Sequence, residues 1–377
     1  MSKLRVLHVY RTYFPDPPGG IQEAITQIAL ASKPFGIESK IFTLTPKPEI
    51  SEIERPEGVV IRSRSWAAPA SCDLGGVQSF IRFAEAADWA DVINYHFPWP
   101  FADILRFIVR PKSHSVLTYH SDIVRQRWLG KVYLPLMNNM LASVKAVVAT
   151  SPAYASTSPI LSQDAVREKV RVIPLGITED SYSPKGDDSV FARLGISPGE
   201  PYFLFIGVFR YYKGLHTLIR SAKQVKAKLV LAGTGPERDS LRHIAREVSA
   251  ENILFAGHVT DAEKVALIKQ SIALVLPSHL RSEAFGMVLV EAAMLGRPMV
   301  SCEIGTGTSF VNLDNESGFV IPPDNPQAIA DALNKLLSDP RLATKLGHGA
   351  RVRYETMFSG PALGLAYSSL YQDVVRT

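Results

Sequence analysis

Two carboxylates, Glu283 and Glu291, stand eight positions apart in the segment SEAFGMVLVE. Eight residues of continuous helix turn through about 800°, which would leave the two side chains roughly 80° apart instead of on one face. We therefore expect Glu283 in the loop after a buried strand within residues 272–278, and Glu291 about two turns into the next helix. The backbone amides from Gly286 onward would then lie at a helix start, which is a natural anion site. Two hydroxyl-binding carboxylates on either side of a phosphate cradle suit a nucleoside diphosphate sugar.

A basic turn within residues 205–219, FIGVFRYYKGLHTLI, offers cations for the same ligand. A strand should end at Gly207 and a helix should begin near Gly214. Arg210 and Lys213 would then lie at the carboxyl edge of a sheet, where α/β folds bind ligands. Both residue types make charge-assisted hydrogen bonds to phosphate oxygens. A solvated basic turn is the alternative interpretation, and the neighbouring anion site favours the phosphate role.

Two further candidates lie in the first half of the chain. Gly19 and Gly20 directly precede a predicted helix and permit close approach of a ligand to the backbone, although such pairs also simply make turns. They do not form a GxGxxG dinucleotide fingerprint, because that pattern does not follow the first strand. His120 ends the predicted strand HSVLTYH and so lies at a sheet's carboxyl edge, where a structural and a functional role are both open.

Strand ends in the second half add weaker candidates. Gly233, in LVLAGTGPERD, is either a turn former or a wall of the nucleotide site. The backbone around His258 and Val259, in ILFAGHV, is placed to face a base if a nucleotide binds there.

Several motifs of other chemistries are missing from the sequence. It has no DxD for a divalent metal under a diphosphate, no HExxH, no P-loop and no GxSxG. We therefore expect no cofactor and no metal, and a bound diphosphate would be neutralised by cations and helix N-termini.

Composition describes a protein with an ample core and no membrane span. Of its 377 residues 46% are hydrophobic, and no apolar run approaches the roughly 18–20 residues that a span needs. Cys72 and Cys302 form no CxxC pair, which favours a reduced, cytoplasmic setting without a cysteine metal site. Residues 1–178 carry 20 Lys and Arg against 15 Asp and Glu, whereas residues 179–377 carry 21 of each class. That excess of positive charge either forms a solvated surface or attracts the unit to an anionic membrane or a pyrophosphate-bearing acceptor. Nucleic acid is not expected as a partner.

Short apolar strands alternate with helical patterns throughout, as in two doubly wound parallel sheets. We predict seven strands in the first half and six in the second. A polar segment rich in Pro and Gly, residues 176–201, is interpreted as the connection. The predicted domains are residues 1–178 and 179–359, with a final helix over 360–377 that packs back on the first domain.

These motifs together resemble the retaining glycosyltransferases of family 4, which have the GT-B fold. The resemblance spans essentially the whole chain and rests on the Gly-Gly loop, TYHSD, VIPLGI, the YYKG turn, LAGTGPER, the E-x(7)-E segment and GFVIPP. It implies an α/β chain of two Rossmann-like domains facing each other across a cleft. The first domain would bind an acceptor and the second a nucleotide-sugar donor.

The resemblance also implies roles for individual residues. Glu283 would contact the hydroxyls of the donor sugar and Glu291 those of the ribose, while Lys213 would bind the diphosphate. His120 would lie beside the transferred sugar. The amides that would hold the phosphates belong to Gly19, Gly20, Phe285, Gly286, Met287 and Val288.

One position departs from the family pattern G-R-x-x-x-x-K. Val208 occupies the place of the usual Arg, and the nearest arginine is displaced to Arg210. Arg210 is therefore either a substitute phosphate ligand or a surface cation.

The YYKGLHTLI turn, the TYFPDPPGGIQ loop and HLRSEAFG look most like bacterial enzymes that add mannose-type sugars to lipopolysaccharide O-chains. That likeness implies GDP-mannose or GDP-rhamnose as donor and a polyprenyl-diphosphate-linked saccharide as acceptor. It also implies peripheral contact with the cytoplasmic face of the inner membrane or with other polysaccharide-assembly enzymes. Sugar and acceptor specificity are expected to depend on loops near residues 11–20, 64–76, 120–131 and 303–311.

Three other functions remain open at the level of sequence. A nucleotide-sugar epimerase of the same fold would need no acceptor. A phosphorylase would need a pyridoxal site, which no motif indicates. A non-catalytic nucleotide-sugar-binding subunit of a transferase complex would retain binding without turnover, and the presence of both carboxylates and Lys213 argues against it.

Overall fold

The chain folds into two compact units. The computed structural model describes residues 3–16, 19–69, 72–122, 127–182 and 185–376, with 127–132 described by their backbone alone. The first unit comprises Met1–Gly176 and Gly360–Thr377, and the second comprises Ile177–Ser359. Parts of three predicted specificity loops, residues 17–18, 70–71 and 123–126, lie outside the described residues.

The first unit contains a nine-stranded sheet in the order β3-β4-β2-β1-β6-β7-β8-β9, with β5 paired to β4. The seven predicted strands are all present and parallel to one another. The sequence analysis missed β3 and β5, which pair antiparallel with β4 and are short and only partly buried, so they lack a continuous apolar run. The strands are β1 Leu4–Val9, β2 Ile37–Thr45, β3 Glu52–Arg55, β4 Gly58–Ala67, β5 Leu74–Gly75, β6 Val92–Phe97, β7 His114–Tyr119, β8 Ala146–Ala149 and β9 Val170–Val172.

Seven α-helices of the first unit lie within the described residues. They are α1 Gly20–Ser32, α2 Val77–Trp89, α3 Pro100–Val109, α4 Arg127–Ser143, α5 Pro152–Thr157, α6 Asp164–Arg167 and the C-terminal α15 Gly360–Arg376. α15 packs on α1 so closely that a Cβ at Gly364 would lie 2.0 Å from the carbonyl oxygen of Ala31. Tyr367 and Tyr371 of α15 are fully buried, and the hydroxyl of Tyr371 accepts a hydrogen bond from Asn94 of β6 at 2.9 Å. The last helix is therefore part of the core of the first unit.

The six strands predicted for the second half are present in the second unit and are parallel; their order in the sheet is β12-β11-β10-β13-β14-β15. The strands are β10 Tyr202–Ile206, β11 Lys228–Ala232, β12 Ile253–Gly257, β13 Leu274–Leu276, β14 Met299–Cys302 and β15 Gly318–Ile321. The helices are α7 Ser189–Leu194, α8 Leu215–Ser221, α9 Arg238–Glu247, α10 Asp261–Gln270, α11 Met287–Met294, α12 Thr308–Val311, α13 Pro326–Ser338 and α14 Pro340–Arg353. Side chains cap three of these helices, namely Thr260 at α10, Asn325 at α13 and Asp339 at α14. At α10 the Glu263 carboxylate also accepts a hydrogen bond from the Thr260 amide, which completes a capping box.

The segment interpreted as a connection, residues 176–201, is mostly not a linker. From Ile177 onward it belongs to the second unit. Its apolar residues Val190 and Ile196 are buried, which holds α7 in the core despite the polar composition around it. Among the described residues, no helix is long and apolar enough to cross a membrane.

Candidate functional site

Glu283 lies in the loop between β13 and α11, where the sequence placed it. Its amide donates to the carbonyl of Leu280 at 3.0 Å, and the hydroxyl of Thr306 donates to its carbonyl at 2.7 Å, so the loop is fixed from both sides. The Glu283 side chain is 10% exposed and forms an ion pair with Lys213. Ser278 donates to the same oxygen, Oε2, at 3.1 Å. The other oxygen, Oε1, has no hydrogen-bond partner within the described part of the chain.

Lys213 reaches Glu283 because of the backbone that follows it. Tyr211–Lys213 form a single 3-10 turn that ends at Gly214, whose φ of 68° favours glycine. A Cβ at Gly214 would lie 2.0 Å from the carbonyl oxygen of Pro277, so the turn packs directly on the loop after β13. Burial alone would lower the pKa of Lys213, but the charge of Glu283 raises it above its ordinary value. Lys213 is therefore positively charged at neutral pH.

Glu291 lies in α11, but nearer its start than expected. It is the fifth residue of the helix, just over one turn from the N-terminus instead of two, because the helix begins only at Met287. Its Oε1 accepts hydrogen bonds from Tyr182 and, at 3.1 Å, from Lys264. Its Oε2 has no partner among the residues that the structure describes. Burial would lower the pKa of Lys264, and the charges of Glu291 and Asp261 raise it.

The sequence analysis missed Lys264 and Tyr182. Lys264 lies one turn into α10, directly after the capping box of Thr260 and Glu263, so its place in that helix was available from the sequence. Its contact with α11 depends on how the two helices pack, and a single sequence carries no signal for that.

The start of α11 provides the predicted amides. Gly286 precedes the helix with a φ of 84°, and a Cβ there would lie 2.9 Å from Leu276 Cδ2. Phe285 is buried and anchors the loop, while Met287 and Val288 are half-buried. The amides of Met287 and Val288 have no acceptor within their own helix, because the first turn of any α-helix lacks them. These amides lie between the two carboxylates in the chain and carry the partial positive charge of the helix N-terminus.

The remaining candidates of the second unit follow neighbouring strands of one sheet. The loops after β12, β11, β10 and β13 carry His258, Gly233, Lys213 and Glu283, and parallel strands bring these loops to the same edge. A Cβ at Gly233 would lie 2.0 Å from the carbonyl oxygen of Gly207. The glycine is therefore required for loop packing, whichever further role it has.

The side chains of the other second-unit candidates are more open. Arg210 and His258 are exposed, and Val259 is half-buried. The positive charge of Arg210 slightly lowers the pKa of Lys213, so the two cations are close enough to interact.

The candidates of the first unit lie in two places, at the start of α1 and after β7. Gly19 precedes the 13-residue helix α1 in an extended conformation, and Gly20 is its first residue, so both lie at a helix N-terminus and both are exposed. His120 follows β7 and is buried. Burial lowers the pKa of His120 to about 3, and its imidazole is therefore neutral at physiological pH.

Within the described ranges, one group of side chains has the composition of a metal site. His216, His279 and Asp324 bring three potential ligand atoms within 4.8 Å of one another. The geometry also has a simpler explanation, since Nε2 of His216 lies 3.5 Å from Asp324 Oδ1 and Tyr211 stacks on His216 and meets the edge of His279. Burial lowers the pKa of His216, which favours its neutral form, and we interpret the cluster as a histidine–carboxylate contact beside packed rings.

Solved structures with this architecture define the class. The chain superimposes on sucrose-phosphate synthase from Thermosynechococcus elongatus with a TM-score of 0.80 at 22% identity, covering 99% of this chain and 100% of that one. An Anabaena protein solved in complex with UDP, Alr3699/HepE, gives a TM-score of 0.78 at 19% identity over 98% of this chain and 100% of that one. The chain thus has the GT-B fold of glycosyltransferases, and the predicted fold class is confirmed.

Sequence comparison gives the family. Residues 18–181 match the model of Glycosyltransferase Family 4, and residues 187–353 match that of glycosyl transferases group 1. The chain is 40% identical to O-antigen chain mannosyltransferase C of Escherichia coli, over 99% of this chain and 100% of that protein. It is 44% identical to D-rhamnosyltransferase WbpZ of Pseudomonas aeruginosa, over 94% of this chain and 92% of that protein. The chain belongs to the family 4 glycosyltransferases and is a glycosyltransferase enzyme.

Proposed function

We propose that this enzyme transfers a hexosyl group, mannose or D-rhamnose, from a GDP-sugar to a lipid-linked saccharide in the biosynthesis of O-antigen or a related polysaccharide. Transfer is retaining and needs no metal ion. The observation that carries the proposal is the pair of buried carboxylates, Glu283 and Glu291, each bound to a lysine through one oxygen only. The two relatives that share 40% and 44% identity, a mannosyltransferase and a D-rhamnosyltransferase, support the choice of sugar.

Each part of the donor has a matching group. The free oxygen of Glu283 accepts a hydrogen bond from a hydroxyl of the transferred sugar, and that of Glu291 accepts one from the ribose. A lysine ammonium has three donors, so Lys213 can remain paired with Glu283 and still bind phosphate oxygens. The amides at the start of α11 hold the diphosphate, and Arg210 adds a second positive charge.

Further donor contacts come from the neighbouring loops of the second unit and from the first unit. Gly233, His258 and Val259 border the nucleotide. In the first unit, the amides of Gly19 and Gly20 contact phosphate, and His120 contacts the transferred sugar.

The reaction balances without a covalent protein intermediate. The bond between the anomeric carbon and the β-phosphate oxygen breaks, and the acceptor hydroxyl oxygen forms a bond to that carbon on the same face. The hydroxyl proton passes to the departing phosphate, which therefore acts as the base. The enzyme orients both substrates and stabilises the charge that develops on the diphosphate.

The acceptor is a polyprenyl-diphosphate-linked saccharide at the cytoplasmic face of the inner membrane, where the enzyme is peripheral. The excess of 20 basic over 15 acidic residues in 1–178 suits an anionic acceptor and membrane. Vesicle sedimentation with and without anionic lipid tests the association, and equal sedimentation at low salt would contradict it.

Calorimetric titration with GDP, UDP, ADP and dTDP, followed by turnover with the matching sugar nucleotides, tests the donor. We expect GDP to bind most tightly and GDP-mannose or GDP-rhamnose to be turned over in the presence of a chelator. NMR of the product gives the anomeric configuration. Inverted product, loss of turnover with chelator, or epimerisation of donor incubated alone would each contradict a part of the proposal.

A further inference from the structure

Three buried histidines form a continuous hydrogen-bonded row across the sheet of the first unit. His8 belongs to β1, His96 to β6 and His120 follows β7, which are adjacent parallel strands. Nδ1 of His8 lies 3.0 Å from Nε2 of His96, and Nδ1 of His96 lies 2.9 Å from Nε2 of His120. The neighbouring rings are stacked, with centroids 5.3 and 5.2 Å apart. His120 at the sheet edge is thus connected to a residue in the interior of the sheet.

All three imidazoles are neutral. Burial lowers the pKa of His8 and of His120 to about 3, and burial together with the two neighbouring histidines lowers that of His96 well below its ordinary value. A neutral imidazole has one N–H donor and one bare acceptor nitrogen. The two hydrogen bonds of the row therefore allow only two arrangements, with every ring protonated at Nδ1 or every ring protonated at Nε2.

The inner end of the row decides between them. Nε2 of His8 is enclosed and has no partner among the described residues. Protonation at Nε2 throughout would leave a buried N–H donor unsatisfied there, whereas protonation at Nδ1 leaves only an unused acceptor. Orphaned buried N–H groups are the rarer and the more costly of the two. In the Nδ1–H arrangement the one unpaired donor is Nδ1–H of His120, which lies at the edge of the sheet.

We propose that His96 and His8 are positioning residues that fix His120 as the Nδ1–H tautomer, so that His120 presents a hydrogen-bond donor at Nδ1. His96 donates to Nε2 of His120 and thereby occupies its only acceptor nitrogen. Nδ1 of His120 has no hydrogen-bond partner in the described part of the chain, and His120 keeps 6% of its surface exposed at the sheet edge, whereas His8 keeps none.

The tautomer determines what His120 can recognise. A fixed donor binds an oxygen lone pair, such as a hydroxyl or ring oxygen of a sugar, and cannot act as a general base towards an acceptor hydroxyl. This consequence rests on the proposed function, because it requires that His120 contacts the transferred sugar. The tautomer itself does not depend on any ligand.

The tautomer can be measured directly in the unmodified enzyme. Two-bond ¹⁵N–¹H correlation spectra of protein labelled at its nine histidines distinguish protonated from bare ring nitrogens, and His120→Asn identifies the His120 signals by their loss. We expect protonated Nδ1 and bare Nε2 in His8, His96 and His120 at pH 7.5. An Nε2–H signal for His120 would overturn the inference, whatever the enzyme transfers.

Two substitutions of His96 form a matched pair. The amide nitrogen of asparagine is as many bonds from Cβ as Nδ1 of histidine, so His96→Asn keeps a donor aimed at His120. The amide of glutamine corresponds to Nε2, so His96→Gln directs its donor towards His8. We expect His120 to remain Nδ1–H in His96→Asn and to lose that state in His96→Gln, with both proteins folded.

Kinetics separates the inference from the proposed function. We expect kcat/KM for the sugar donor to fall about tenfold in His96→Gln and to stay within about twofold in His96→Asn, as for the loss of one oriented hydrogen bond. If the two substitutions leave His120 in different tautomers but have equal effects on kcat/KM, the Nδ1–H row stands and the contact between His120 and the sugar is contradicted. Equal tautomers in the two variants would overturn the positioning role of His96.

Discussion

The two carboxylates of the second unit share one design at the level of single side chains. Lys213 and a serine hydroxyl converge on one oxygen of Glu283, and Lys264 and a tyrosine hydroxyl converge on one oxygen of Glu291. Each lysine places a positive charge against a buried carboxylate and so offsets part of the cost of burying it. The second oxygen of each carboxylate has no hydrogen-bond partner among the described residues.

Substituting each carboxylate by its amide should separate the two roles. Glu291→Gln should weaken the binding of GDP and of the GDP-sugar by a similar factor, about 10-fold, because the ribose is common to both. Glu283→Gln should weaken the binding of the GDP-sugar and leave the affinity for GDP within about twofold. Isothermal calorimetry with both ligands measures this, and the GDP affinity of Glu283→Gln serves as an internal control for folding. A reversed pattern would exchange the two assignments.

Lys213 should contribute mainly to the rate. Lys213→Ala removes a cation from the developing diphosphate charge, and loss of one such donor lowers kcat by about 10²–10³. Lys223→Ala provides the control, because that lysine is exposed on the same unit and outside the candidate site. Steady-state turnover with the best donor is the measurement. Unchanged kcat in Lys213→Ala would exclude the proposed phosphate role.

At the scale of elements, the turn that carries Lys213 depends on a glycine for two separable reasons. Gly214 and Gly195 both have positive φ, 68° and 64°, but a Cβ at Gly195 would meet nothing within 4 Å. Gly195→Ala should therefore cost about 1–2 kcal/mol of unfolding free energy, the penalty of the left-handed conformation alone. Gly214→Ala should cost at least about 3 kcal/mol, because its Cβ also collides with the carbonyl of Pro277. Urea unfolding of the two variants gives the comparison, and equal costs would mean that the turn can move away from the loop after β13.

The histidine row across β1, β6 and β7 should make the first unit sensitive to acid. The folded-state pKa of His8, about 3, is below its unfolded value of about 6.5, so below pH 6.5 the unfolded chain binds more protons. The free energy of unfolding should then fall with decreasing pH by about 1.4 kcal/mol per unit for each such histidine, until the folded pKa is reached.

His8→Asn isolates that contribution. Asparagine keeps a donor at the position of Nδ1 and removes the titrating group, so between pH 6.5 and 4 its unfolding free energy should fall less steeply than that of the unmodified chain. Chemical unfolding at several pH values gives the difference between the two slopes, and other titrating groups cancel in it. Parallel slopes would show that His8 becomes protonated without unfolding.

The elements of this fold were largely predictable, and their contacts were not. Apolar runs such as VINYHF are buried on every residue in β6, which is the pattern of a central parallel strand, so the strand could be identified from sequence. The same run hid the role of His96, because its partners lie in β1 and after β7 and only the register of three strands aligns them. Lys264 was missed for a related reason, because the packing of α10 against α11 brings it to Glu291 and its position within its own helix does not show that contact. The residues that were missed are those whose role depends on contacts between segments and which no recognised motif marks.

At the scale of the whole molecule, the candidate donor-binding residues lie in one continuous segment, whereas the first unit is built from both ends of the chain. The pyrophosphate-binding and hydroxyl-binding candidates Lys213, Glu283 and Glu291, with the start of α11, all lie in Ile177–Ser359, a continuous segment. The first unit instead needs both ends of the chain, because α15 completes its core. Tyr367 and Tyr371 fill that core and would be replaced by exposed apolar surface if α15 were absent.

The two units should therefore respond differently to truncation at Ser359. Deleting Gly360–Thr377 removes the buried side chains Leu363, Tyr367 and Tyr371, and the loss of even one buried aromatic costs about 3–5 kcal/mol, which is comparable to the stability of a typical domain. We expect the first unit to lose its cooperative unfolding transition in calorimetry. The fragment 177–359 should retain its own transition and bind GDP within about tenfold of the intact enzyme, without turnover. As a control, Leu365→Ala alters an exposed residue of the same helix and should leave both transitions in place. Loss of GDP binding by a folded 177–359 fragment would mean that the first unit supplies part of the nucleotide affinity.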